Sequence, residues 1–122
     1  MADAQFSINW FEIPTADLER ATKFYNTIFQ TELAPMQGPD GTIMTFQKDG
    51  MPIGALITCA HNAPSETGSL LYFDAQGDME GVLGRIEAAG GKVILPKTSI
   101  GEHGHIAHFM DTENNRVALH SL

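Results

Sequence analysis

The segment Gly104-His105-Ile106-Ala107-His108-Phe109 restates Gly41-Thr42-Ile43-Met44-Thr45-Phe46, with Gly, Ile and Phe kept in register 63 positions apart. A strand that recurs half a chain length later constrains the fold more than any other feature, because it implies one supersecondary unit written twice. Other landmarks have partners at nearly the same distance. Asp17 and Asp78, each opening a helical pattern, lie 61 positions apart, as do Pro35 and Pro96, each following a short apolar run. Ala55-Leu56 and Ala118-Leu119 lie 63 apart. The drift from 61 to 63 places two extra residues in a loop of the second copy, near Ser99 to His103.

The order of elements follows from periodicity. Phe6 to Ile13, aromatic and β-branched, reads as a first strand ended by Pro14-Thr15. Its period of two sets Ile8, Trp10 and Glu12 on one face and Phe11 and Ile13 on the other. Thr15 or Asp17 can cap a helix whose apolar positions Leu18, Ala21, Tyr25, Ile28 and Phe29 share a stripe, with Phe24 at its margin. Glu32 to Met36, Thr42 to Gln47 and Pro52 to Cys59 read as three more strands, separated by the turns Gly38-Pro39-Asp40-Gly41 and Lys48-Asp49-Gly50.

Residues 61–68, polar and rich in Pro and Gly, read as a linker. The second unit repeats the first. Ser69 to Phe73 is a strand, Asp78 caps a helix buried through Met79, Val82, Leu83, Ile86 and Ala89, and Gly90-Gly91 ends it. Lys92 to Leu95, His105 to Met110 and Arg116 to Leu122 complete the set. The chain is therefore expected to be one α+β domain of two pseudo-symmetric β-α-β-β-β modules, about 5–60 and 69–122, with mixed sheets and helices on one face.

Composition narrows the partners. A chain of 122 residues can bury a core without disulfides, and one cysteine, Cys59, precludes an internal one and fits a reducing compartment. Fifteen acidic against seven basic residues, a net −8, argue against nucleic acid or an anionic membrane surface. The first residues lack the basic start and apolar run of a secretory signal, and no stretch approaches the ~20 apolar residues of a membrane span, so a cytoplasmic setting is expected.

Two segments carry a family resemblance. Asp17-Leu18-Glu19-Arg20-Ala21-Thr22-Lys23-Phe24-Tyr25 is similar to the first-helix signature of the vicinal oxygen chelate superfamily, which includes glyoxalase, bleomycin-resistance and extradiol-dioxygenase relatives. Phe109-Met110-Asp111-Thr112-Glu113-Asn114-Asn115 resembles its Phe-x-Asp-Pro-x-Gly-Asn turn, with Thr112 for Pro and Asn114 for Gly, a position where Asn tolerates positive φ. The resemblance implies paired sheets curled around a ligand cleft, and it implies fold more specifically than function.

It also implies a divalent metal held by His, Gln or Glu at four cleft positions, two per half. The first-strand position falls on Trp10 and the last-strand position on Ala118, with Ala55 as its counterpart. The strand-five position is Leu70 or Leu71. None supplies a ligating atom, so no metal and no other cofactor is expected. The alternative is a displaced divalent metal, since Glu12 and His120 stand two residues along their strands from Trp10 and Ala118. His61 falls in the linker, His103 and His105 border a glycine-rich loop, and His108 takes the place of Thr45.

With Trp10, Glu12, Ala55, Leu70, Tyr72, Ala118 and His120 facing it, the cleft is expected to be apolar and aromatic with a few polar groups, as small-molecule pockets are. The resemblance to bleomycin-resistance members implies, as the first functional expectation, a binding protein that sequesters or senses a small, partly aromatic or apolar molecule. The alternative is a glyoxalase- or lyase-related enzyme, with Glu12 and His120 as catalytic residues on a displaced metal or as a metal-free acid/base pair. A vestigial accessory domain is a third. The resemblance also implies a homodimer paired through the sheets, with Phe6, Trp10 and the exposed edges of the terminal strands as contributors.

Overall fold

Why each module folds as it does is clearest at its helix. In the computed structural model, which describes residues 5–58 and 62–122, α1 spans Leu18–Phe29 and α2 spans Met79–Ile86. Asp17 caps α1, its Oδ1 accepting the Arg20 N–H at 3.0 Å, and Ala21, Phe24, Tyr25 and Ile28 form the buried stripe. Phe24, expected at the margin, is only 1% exposed. Its ring lies against Gly91, where a Cβ would come within 2.7 Å of it, so the missing side chain creates the space. Asp78 occupies the cap position of α2 without making the capping bond, and its carboxylate meets Arg85 Nη2 at 3.5 Å.

Among the described residues, eight strands accompany these helices. They are β1 Phe11–Pro14, β2 Ala34–Gly38, β3 Gly41–Lys48, β4 Met51–Ile57, β5 Tyr72–Asp74, β6 Lys92–Ser99, β7 His105–Met110 and β8 Arg116–Ser121. They form two separate four-stranded mixed sheets of the same topology, β1-β4-β3-β2 and β5-β8-β7-β6, so each module is β-α-β-β-β. The first and fifth strands begin later than expected, at Phe11 and Tyr72. Only Phe11–Pro14 pairs with β4, and Phe6 and Ile8 upstream are 90% and 87% exposed. Apolar alternation marks a strand only where a neighbour supplies the ladder. Cys59 and His61 lie outside the described residues. No described helix is long and apolar enough to cross a membrane.

One core serves both modules. Phe11 of β1 meets Phe73 of β5 edge-on at 5.6 Å, and Phe46, Tyr25 and Phe29 complete the cluster. Leu56 and Leu119 point into this core, while their neighbours Ala55 and Ala118 belong to the opposite sheet face, away from the helices.

A polar network also ties the modules together. The turn after β7 places the Glu113 carboxylate, fully shielded from solvent, at the start of α1. There it accepts from Ala16 N–H, Asp17 N–H, Arg20 Nε–H and Thr112 Oγ–H at 2.9, 2.8, 2.8 and 2.8 Å. Tyr25 OH donates to Asp111 Oδ2 at 2.7 Å, and Asn115 Nδ2 donates to the Pro14 carbonyl at 2.8 Å. Asn114 takes φ 68°, the left-handed value that allows it to stand for Gly.

Candidate functional site

The site is built on the sheet face opposite the helices, and the strand register fixes its members. Glu12 pairs with Ala55 in one sheet, and Tyr72 pairs with Ala118 in the other. Trp10 and Leu70 each stand two residues earlier, so the register makes Leu70, not Leu71, the counterpart of Trp10. Asp74 and Ile106 both pair with His120, and His108 pairs with Ala118, so these side chains share one face of the second sheet.

A cavity of about 670 Å³ opens on that face, lined chiefly by Tyr72, Asp74, Ile100, Ile106, His120 and Leu122. Its lining is mostly apolar with a few polar groups, the usual character of a small-molecule site. A larger hollow of about 930 Å³ runs along the outer side of α1 between Asp17, Glu19, Arg20 and Lys23, and none of the expected site residues borders it.

The expected residues thus divide. Tyr72 and His120 line the cavity together, with Ala118 buried between their strand positions. Trp10 and Glu12 sit at the first sheet, where the indole N–H donates to Glu12 Oε2 at 3.3 Å, and Ala55 is buried beneath them. Leu70 is half-buried just ahead of β5. Among the described residues no hydrogen bond joins Glu12 to His120 or Tyr72. His120 Nε2–H instead donates to the His103 carbonyl at 2.7 Å, fastening the Gly101–His103 turn beside the cavity.

Sequence reasoning missed one cluster. Ala118 carries only a methyl group, so Tyr72 on one side and His108 on the other reach across it, and the Tyr72 oxygen lies 3.2 Å from His108 Nε2. Arg116 Nη1, two residues before Ala118 on the same strand, lies 3.2 Å from His108 Nδ1. The two-residue period that put Ala118 and His120 on one face would also have found Arg116. Partial burial lowers the His108 pKa below its ordinary 6.5, and the Arg116 charge lowers it further. An NMR titration of the imidazole protons is therefore expected to place His108 below 6.5, with Arg116→Gln returning part of the difference. An unshifted His108 would contradict that environment.

With this geometry in place, comparison with known proteins is decisive at the level of family. Residues 7–119 match the Glyoxalase/Bleomycin resistance protein/Dioxygenase superfamily. The chain belongs to that superfamily. A glyoxylase-like domain-containing protein of Didymella fabae is 30% identical over 118 residues, covering 92% of this chain and 91% of its own. CFP32 of Mycobacterium tuberculosis, which carries a provisional glyoxylase name, is 25% identical over 114 residues, 91% of this chain. The chain spans only 44% of that relative's length. Among solved structures, a glyoxalase/bleomycin resistance protein of Albidiferax ferrireducens superposes with TM-score 0.78 at 17% identity, over 93% of this chain and 97% of that one. TnmS3, an antibiotic binding protein of a Streptomyces species, gives TM-score 0.64 at 24% identity, over 98% of each chain.

The superfamily resemblance implies a metal, and the side chains at its four positions do not fit one. Trp10, Ala55, Leu70 and Ala118 bring an indole, an isobutyl group and two methyl groups to the sheet faces, with no lone pair suited to a divalent cation. The helix and turn signatures of the superfamily lie away from the cavity, in the network that joins Tyr25 to Asp111 and Arg20 to Glu113. In this chain those signatures hold the modules together.

Proposed function

We propose that this protein binds a small, largely apolar organic molecule in the cavity over the second sheet, to sequester or sense it. The observation that carries the reading is the apolar cavity of about 670 Å³ into which Tyr72, Asp74 and His120 converge. The antibiotic-binding function named for TnmS3, on the same fold, is compatible with it. The glyoxylase names of the sequence relatives favour an enzyme instead. The binding reading is favoured by the separate engagement of Glu12 with the Trp10 indole and of His120 with the His103 carbonyl.

No metal enters the proposed function. Protein exposed to Ni, Zn, Mn, Co and Fe and then desalted is expected to retain none stoichiometrically, while an apolar fragment library should produce saturable amide shifts around Ile106 and His120. Stoichiometric metal lost on Glu12→Gln or His120→Ala would overturn the binding reading in favour of a lyase-type enzyme.

A further inference from the structure

The hydrogen-bond chain behind the cavity has a direction. A guanidinium has donors and no acceptor, so Arg116 Nη1–H must donate to His108 Nδ1, and that nitrogen must be unprotonated. The ring proton of neutral His108 then sits on Nε2 and donates to the Tyr72 oxygen. A phenol oxygen has two favoured in-plane sites. His108 occupies one as a donor, which leaves the Tyr72 hydrogen in the other, turned away from His108. Tyr72 lines the cavity, so a hydrogen turned away from His108 is left for an occupant that reaches the hydroxyl.

The same lining sets the charge of the occupant. Asp74 contributes a carboxylate to the wall, its Oδ1 accepting the Gln76 N–H at 2.8 Å, and no lysine or arginine is among the described residues that line this cavity. An anion would meet Asp74 with no permanently charged cation in the wall to compensate it. Ile100, Ile106 and Leu122 offer apolar surface to the remainder.

We propose that Arg116 and His108 are positioning residues that fix the Tyr72 hydroxyl as a hydrogen-bond donor, so that the cavity selects an uncharged apolar molecule bearing an acceptor oxygen, as in an aryl ketone. This rests on the binding function proposed above and specifies its ligand class. Ala118 is part of the device, since a longer side chain there would stand between Tyr72 and His108.

Two measurements test it. Long-range proton–nitrogen spectra of ¹⁵N-labelled protein should show His108 with Nδ1 bare and Nε2 protonated, and Arg116→Gln should let the other tautomer appear. A His108 protonated on Nδ1 in the unmodified protein overturns the donor assignment whatever the cavity binds. Chemical-shift titrations with acetophenone and with ethylbenzene, similar in size but lacking the oxygen, then read selectivity. Tyr72→Phe should weaken acetophenone about tenfold, the worth of one hydrogen bond, and Arg116→Gln should weaken it less, while ethylbenzene is held equally by all three proteins. Unchanged acetophenone affinity in Tyr72→Phe sinks the ligand class and leaves the cavity as a binding site. Failure of both fragments to shift the cavity amides overturns the binding function together with this inference.

Discussion

Replacing Glu113 with Ala is expected to lower the unfolding free energy by about 3 kcal/mol, and the melting temperature by roughly 10 °C. The carboxylate is shielded from solvent and is the shared acceptor for the Ala16 and Asp17 N–H groups, the Arg20 guanidinium and the Thr112 hydroxyl. Removing it strands the two backbone donors at the start of α1 and detaches the turn after β7 from the first module. Most of the effect is assigned to those donors. Arg20 is half-exposed, where screening leaves an ion pair little net worth. Urea unfolding measures it, and a loss below about 1 kcal/mol would show that water replaces the carboxylate without difficulty.

The pH dependence of the same contact has a defined sign. Burial alone would push the Glu113 carboxyl up, but the Arg20 bond, followed by the Asp17, Thr112 and Ala16 donors, outweighs it and holds the pKa at about 2 against an ordinary 4.5. A depressed carboxyl stabilises fully above its unfolded value and loses that contribution as pH falls through the folded one. The stability gap between the natural protein and Glu113→Gln should therefore be open above 4.5 and close toward 2. Asp111 acts in the opposite sense. Burial raises its pKa despite bonds from Asn115, Tyr25 and Glu113, so its protonation is favoured by the fold and partly offsets the acid loss. Tyr25→Phe removes one of those donors and should raise the Asp111 pKa further.

The behaviour of Glu113 shows what a sequence displays and what it conceals. Helix and strand order were readable because burial repeats with a period, as the observed α1 at Leu18–Phe29 and β7 at His105–Met110 demonstrate. The start of β1 was not, because Phe6 and Ile8 alternate like a strand but have no paired neighbour. The two family signatures were visible as strings, yet that Arg20 would reach Glu113 and Tyr25 would reach Asp111 depends on how the second module closes on the first. No spacing rule encodes that. At the cavity, Tyr72, Ala118 and His120 could be set on one face from the two-residue period. The direction of the Arg116-His108-Tyr72 chain could not, since it follows from atoms that meet across three strands.

The repeated glycines yield the second large effect, through a contrast between the two copies. Gly41 and Gly104 both take positive φ, 123° and 100°, at the start of equivalent strands, which accounts for glycine at that point of both segments. Their surroundings differ. A Cβ at Gly41 would meet nothing within 4 Å, so Gly41→Ala should cost about 1 kcal/mol from backbone conformation alone. At Gly104 the same Cβ would run into the Ser121 carbonyl and lie 2.8 Å from the Leu122 Cα, and backbone atoms cannot swing aside as a side chain can. Gly104→Ala should therefore cost about 3 kcal/mol, combining the conformational penalty with displacement of the end of β8. That displacement reaches the cavity, because Ser121 and Leu122 line it and the Gly101–His103 turn, closed by the Gly104 N–H to Gly101 carbonyl bond at 3.1 Å, carries the carbonyl that holds His120. Acetophenone shifts at Ile106 should disappear in Gly104→Ala and persist in Gly41→Ala. Equal stability losses in the two variants would mean that the end of β8 yields freely, and that the wall beside His120 is set by something other than the approach of Gly104 to Ser121.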